Sequence, residues 1–353
     1  MKITDIKIKE VEIPLKKPFR ISLGVITMAR IAMVEIQTDE GISGYGEGAT
    51  ALLISGDILE GIKKGIEILG NAIIGINPMD IEKVYWKMDR TLARNPAAKA
   101  AIDIAIHDLI GKITNQPLYK LLGGYRDTFV TDMTVGIDKP EKMAIAAKNA
   151  VDRGFDTIKT KVGIGFEEDI QRIKSIREAV GNDIKIRIDA NQAWSVKEAI
   201  RIIEKIAEYD IELVEQPVPA HDLEGLSQVT YNTSVPIMAD ESVFNSKDVL
   251  NIIKMRAADI INIKLMKCGG LREAQKINTL AEVVEMECML GCMAEESNIG
   301  ITAAASLGAA LKNITRGDLD AMFFLSSLPV EGGVTIEGGI IAFSQKPGLG
   351  IEA

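Results

Sequence analysis

Residues 157–191 read TIKTKVGIGFEEDIQRIKSIREAVGNDIKIRIDAN. An apolar run carrying Lys159 and Lys161 gives way to a glycine-rich break, and an amphipathic stretch then repeats its apolar residues at three and four. A second break leads into an apolar run that ends on Asp189 and Asn191. Strand, helix, strand is the reading, and the unit recurs. IELVEQP holds Glu215, PIMADES holds Asp240 and Glu241, and IINIKLM holds Lys264. From Lys161 to Asp189, Glu215, Asp240 and Lys264 the steps are 28, 26, 25 and 24 residues. Strands buried on both faces read as continuous Ile, Val and Leu, as these do. Charges tolerated at their C-terminal ends occupy the positions where barrel enzymes keep their chemistry.

Working outward, eight strands are expected around Val130–Val135, Thr157–Lys161, Ile184–Asp189, Ile211–Glu215, Pro236–Asp240, Ile260–Lys264, Cys288–Met293 and Asp318–Phe323. Before them, ITDIKIKEVEI and RIAMVEIQT alternate as strands, and TDEGISGYGEG reads as a hairpin and loop. Residues 57–122 turn helical, notably in AAKAAIDIAIHDLIGKI, and a boundary falls near residue 125. The tail from about residue 326 is β-like and is expected to rejoin the N-terminal layer.

The 353 residues are 47% hydrophobic and 26% charged, ample for a large core without disulfides. A net charge of -9 argues against nucleic acid or an anionic membrane as partner. No signal-peptide pattern and no long apolar run is present, so the cytosol is the expected compartment. Cys268, Cys288 and Cys292 lack ligand spacing and read as buried thiols. His107, in an apolar helix, and His221, in a loop, stand away from the strand ends, which disfavours histidine base chemistry.

A lone Lys or Asp at a strand end is ordinarily a solvated loop residue; five in register at one period are not. In an eight-strand barrel the second and sixth strands are half a turn apart, so Lys161 and Lys264 face each other across the mouth. Asp189, Glu215 and Asp240 occupy the arc between them. Three converging carboxylates require a cation, and all-oxygen ligation suits Mg²⁺. Asp318 and Asp320 on the opposite arc suit a ligand ammonium. A molecule with a carboxylate at one end and an ammonium at the other fits this ring.

T-K-V-G after Lys159, D-A-N-Q-A-W, V-E-Q-P, A-D-E-S, N-I-K-L and the GYGEG loop together resemble the enolase superfamily, muconate-lactonizing subgroup, over essentially the whole chain. The resemblance implies an α/β fold: a modified TIM barrel of (β/α)7β type over residues 126–325. An α+β capping domain of residues 1–125, joined by the tail 326–353, would cover it. It also implies Lys161 and Lys264 as acid/base lysines, Asp189, Glu215 and Asp240 as Mg²⁺ ligands, and Asn191 and Glu241 as their supports. Lys159 would neutralise the developing enolate. In this subgroup D-x-D on the eighth strand marks dipeptide epimerases, where it binds the α-ammonium, and Asp318 and Asp320 match it. Cys292 and Met293 are expected to line the substrate, and a homo-oligomer is expected.

The implied reaction is inversion of the C-terminal α-carbon of a dipeptide by two-base proton transfer through an enediolate. The alternatives are a cycloisomerase, an o-succinylbenzoate synthase, an N-acylamino acid racemase, an Ala-Glu epimerase or a Schiff-base aldolase. A non-catalytic binding protein leaves the opposed lysines unexplained. Where Ala-Glu epimerases carry an Arg after K-P-F, this chain has Gly24. Gly24, Val25 and Ile26, in a loop capping the mouth, therefore favour apolar side chains, with Arg20 and Arg30 as the cations closest in sequence.

Overall fold

The computed structural model of the chain describes residues 1–352. The chain opens with an antiparallel meander of β1 (Ile3–Ile21), β2 (Gly24–Thr38) and β3 (Ser43–Ala49). Helices α1 (Leu59–Ile73), α2 (Ile81–Thr91), α3 (Pro96–Thr114) and α4 (Leu118–Leu121) follow, then the short strand β4 (Thr128–Val130). The GYGEG stretch is not a loop, as its glycines suggested, but strand β3. Gly44, Gly46 and Gly48 share one face of the strand, and Ala97, Ala101 and Ala105 share one face of α3. A Cβ on Gly46 would sit 2.1 Å from the Ala101 carbonyl oxygen, so only glycine lets helix and strand approach this closely.

Strands and helices then alternate. The first half runs β5 (Met133–Val135), α5 (Pro140–Asp152), β6 (Thr157–Lys161), α6 (Phe166–Val180), β7 (Lys185–Asp189), α7 (Val196–Ile206), β8 (Ile211–Glu215) and α8 (Leu223–Asn232). The second runs β9 (Ile237–Ala239), α9 (Ser246–Met255), β10 (Ile260–Lys264), α10 (Leu265–Cys268), α11 (Leu271–Val283), β11 (Glu287–Gly291), α12 (Asn298–Ala310) and β12 (Ile314–Asp318). The eight strands β5 to β12 form one parallel sheet in sequence order. Its two edges meet where Asp132 N donates to Gly317 O (3.2 Å) and Leu319 N to Thr131 Oγ1 (2.7 Å). No α-helix follows β12 among the described residues, so the barrel is of the expected (β/α)7β type. Fully buried Ile158, Ile188 and Ile263 bind the strands into a core that continues through Ile66 and Ile102 of the helical layer.

Two strand placements differ from expectation. The eighth strand is Ile314–Asp318 rather than Asp318–Phe323, so Asp318 closes it and Asp320 stands in the loop beyond. Arg316 hid this strand from an apolar-run reading: it pairs with Glu212 (3.1 Å) and Glu287 in a charged network at the strands' N-terminal ends. The first expected strand divides in two. Thr128–Val130 pairs outside the barrel with the tail, and only Met133–Val135 joins the ring. The tail supplies β13 (Glu331–Gly332), β14 (Thr335–Glu337), β15 (Ile340–Ala342) and β16 (Ile351–Glu352). It reaches back to the helical layer, where Leu118 N donates to Gly348 O (2.8 Å) and Leu349 N to Asp108 Oδ1 (2.8 Å).

Candidate active site

Parallel register places the chemistry at one end of the barrel. Lys161 pairs in register with Asp189, and Asp189 with Glu215, each the last residue of its strand; Asp240 follows β9 directly. One carboxylate oxygen from each of Asp189, Glu215 and Asp240 lies within 4.8 Å of the other two, and all three residues are fully buried. Asn191 and Glu241 stand behind them: Asn191 N donates to Asp189 Oδ1 (2.8 Å) and Asn191 Nδ2 to Glu241 Oε1 (3.1 Å).

Lysines surround this trio. Lys161 Nζ donates to Asp189 Oδ2 at 2.5 Å, and Lys264 Nζ to Asp240 Oδ2 at 2.8 Å. They stand on β6 and β10, four strands apart in a ring of eight and so on opposite sides of the trio. Lys159 lies 2.6 Å from Glu215 Oε2, 3.2 Å from Asp189 Oδ2 and 2.6 Å from Asp318 Oδ2. Burial alone would lower Lys159 and Lys264. Asp318, Glu215 and Asp189 outweigh it for Lys159, and Asp240 and Glu215 for Lys264, so both lie above the ordinary lysine range.

The carboxylates divide in the same way. Burial would raise Asp240, but Lys264 and Lys267 hold it well below the usual carboxylate range; Asp189 is also lowered, by Lys161 and Lys159 against its burial. Glu215 is pushed up to about 8 by burial and by Asp189, which marks it as the carboxylate the lysines satisfy least. Its Oε2 is buried, with the Lys159 ammonium as its neighbour. Three buried carboxylates with oxygens this close together fit Mg²⁺, whose octahedral bonds of about 2.0–2.1 Å place ligand oxygens roughly 3–4 Å apart.

Asp318 and Asp320 lie across the mouth, 5% and 2% exposed. Thr134 Oγ1 donates to Asp318 Oδ1 (3.2 Å), and Thr134 N to Asp320 Oδ2 (2.6 Å). Burial would raise Asp318, but Lys159 and Lys161 bring it below the ordinary range; Asp320 is raised to about 7 by burial and by Asp318. Cys292 and Met293, both buried, follow β11 directly. Gly24, Val25 and Ile26 do not form a loop: they begin β2 at the tip of a tight hairpin in which Ile21 pairs with Gly24. The tip rests on the barrel mouth, where Ser22 Oγ donates to Asn191 O (2.9 Å) and Ile137 N to Arg20 O (2.9 Å). Leu53, from the segment after β3, packs so close to Gly24 that a Cβ there would lie 2.9 Å from its Cδ1. Arg30 is engaged with Glu12 at 2.9 Å, and Arg20 is exposed.

Residues 3–123 match the mandelate racemase / muconate lactonizing enzyme N-terminal domain, and residues 142–353 match the enolase C-terminal domain-like family. The chain belongs to this family. It is 54% identical over 99% of both chains to a hydrophobic dipeptide epimerase of Enterococcus faecalis, and 46% identical to an L-Ala-D/L-Glu epimerase of Clostridium acetobutylicum over 100% of this chain and 99% of that one. The Enterococcus faecalis dipeptide epimerase, solved with Mg and L-Leu-L-Tyr, superposes with a TM-score of 0.98 over 100% of both chains at 54% identity. The L-Ala-D/L-Glu epimerase of Bacillus subtilis superposes at 0.97 with 44% identity, over 99% of each. Family membership agrees with the resemblance drawn from the motifs.

Four further residues enter the site that the strand-end period did not mark. Lys267, 1% exposed, donates to Asp240 Oδ1, to Asp240 O (2.5 Å) and to Asn262 O (3.2 Å). Asn262 Nδ2 donates to Glu215 Oε1 at 2.7 Å. The others are Thr134 and Asp132. Asn262 was legible, since it stands two residues before Lys264 on the same strand face. Lys267 was not, because it lies in α10, after the strand that carries the period.

Proposed function

We propose that this protein is a Mg²⁺-dependent dipeptide epimerase that inverts the α-carbon of the C-terminal residue and favours apolar side chains. The observation that carries the reading is the pair Lys161 and Lys264 on opposite sides of a buried carboxylate trio, with Asp318 and Asp320 across the mouth. Names of relatives agree in reaction type while differing in side-chain preference.

Asp189, Glu215 and Asp240 would hold the metal. Bound there, Mg²⁺ would stabilise the charge that builds on the substrate carboxylate as the α-proton leaves. Lys159, at the inner edge of the trio, adds a fixed positive charge where that negative charge grows. Lys161 and Lys264 flank the α-carbon on its two faces, so one removes the proton and the other returns a proton from the opposite side, which inverts the centre. The base must be neutral. Asp189 accepts from Lys161 and Asp240 from Lys264, so a cation held by the same carboxylates would compete with both lysines for those oxygens. Asp318 and Asp320 would anchor the dipeptide's ammonium, fixing the α-carbon between the lysines.

Apolar preference rests on the rim. Leu23, Val25, Leu52 and Leu53 are large apolar residues left 38–52% exposed where the hairpin tip meets the segment after β3. Such a rim gains about 0.8 kcal/mol for each substrate methylene it removes from water. The test is α-proton exchange in D₂O: Lys161→Ala and Lys264→Ala should each abolish exchange from one stereoisomer, and not the same one. Variants that both still epimerise both isomers would refute the two-base reading.

A further inference from the structure

Asp318 and Asp320 have a third carboxylate beside them that no motif marked. One oxygen from each of Asp132, Asp318 and Asp320 lies within 4.8 Å of the other two. Asp132 is two residues before Thr134 and is 1% exposed. Its Oδ2 accepts from Arg187 Nη1 at 2.8 Å, and Arg187 is itself fixed by Glu212 (2.6 Å) and Gly317 O (3.0 Å). Asp132 Oδ1 is buried with no hydrogen-bond partner among the described residues. A buried acceptor without a donor is costly, and three crowded carboxylates repel unless a cation joins them.

A primary ammonium offers three N–H donors at tetrahedral angles. With charge-assisted N···O distances of about 2.8 Å, its three acceptors stand about 4.6 Å apart. Oxygens all within 4.8 Å of one another admit that arrangement. We infer that Asp132 is a third acceptor for the substrate's α-ammonium, so that Asp132, Asp318 and Asp320 each take one of its N–H groups. The assignment rests on the dipeptide reading above. It accounts for the orphaned Oδ1 and for an arginine that fixes the other oxygen of the same carboxylate. Burial and Asp318 push Asp132 well above the ordinary carboxylate range, and a bound ammonium would draw it back.

Two measurements test this. Asp132→Asn, with Mg²⁺ present, is assayed on L-Leu-L-Tyr and on its des-amino analogue, 4-methylpentanoyl-L-tyrosine. Loss of one charge-assisted bond should lower kcat/KM on the dipeptide by about tenfold or more, chiefly through KM. The des-amino analogue should change by less than about twofold. Equal losses on the two substrates would mean a structural role and overturn the assignment. The unsubstituted enzyme supplies a test independent of any variant's folding: N-methylation of the dipeptide removes one N–H. If all three are used, the first methyl should weaken binding by about tenfold; a first methyl without effect would overturn the third acceptor. Parent enzyme that turns over the des-amino analogue as well as the dipeptide would overturn ammonium recognition itself, and the role of Asp132 with it.

Discussion

Lys267→Met tests how the carboxylate trio is held in place. The Lys267 ammonium is completely buried, and its three donors are all taken, by Asp240 Oδ1, Asp240 O and Asn262 O. Methionine preserves the side-chain length and removes the charge. Asp240 then keeps Lys264 on Oδ2 but loses the partner on Oδ1, and two backbone carbonyls lose a donor. Breaking a buried ion pair by removing one partner costs about 3–5 kcal/mol. The surviving Lys264 contact favours the lower end. An unfolding entropy of about 2.1 cal/mol/K per residue, over 353 residues, is about 0.7 kcal/mol/K, so the melting temperature should fall by about 4–7 °C. Differential scanning calorimetry in EDTA reads this directly. Isothermal titration of Mg²⁺ into the variant should show a lowered affinity, since the Asp240 carboxylate is no longer pinned. A variant that melts within 1 °C of the parent and binds Mg²⁺ equally well would refute the reasoning.

Gly24→Arg should raise kcat/KM for Ala-Glu relative to a hydrophobic dipeptide by tenfold or more, the scale of one charge-assisted hydrogen bond; Leu53, partly exposed, can swing aside to admit the side chain. A parent enzyme that already prefers Ala-Glu would sink the apolar-rim reading. Gly46→Ala drives a Cβ to 2.1 Å from a backbone oxygen that cannot move alone, so the strand must part from α3; a loss of about 1–3 kcal/mol or more is expected in urea unfolding, and an unchanged midpoint would count against the close packing. Stability should also fall as pH rises from about 5 to 8. Burial pushes Glu47 up to about 7 and Glu296 up to about 8, so both keep a proton that the unfolded chain releases above its ordinary pKa near 4.5. The folded state therefore binds more protons throughout that window, and stability declines with pH. Glu296→Gln should flatten the melting temperature's pH profile, and an unaltered slope would rule Glu296 out as its source.

The barrel was legible because its signals are local. Continuous Ile and Val mark strands buried on both faces, the 3.6-residue pattern marks the helices between them, and a unit of fixed length returns Lys161, Asp189, Glu215, Asp240 and Lys264 at nearly equal steps. Strand parity alone put Lys159 beside Lys161, and Asp189 beside Asn191. What lay outside that periodicity was decided by tertiary structure. The eighth strand carries Arg316 and a glycine in place of an apolar run, because its partners Glu212 and Glu287 arrive from other strands. GYGEG is a strand because the alanine face of α3, some fifty residues later, packs against its glycines. Lys267 reaches Asp240 through a helical turn that follows no strand period. Asp132 and Thr134 meet Asp318 and Asp320 only because a parallel sheet closes on itself, bringing its first and last strands together across more than 180 residues. Repetition along the chain specifies strands, their ends and the side chains that neighbour one another along the arc; which side chains meet across the seam depends on ring closure, and no local pattern encodes that.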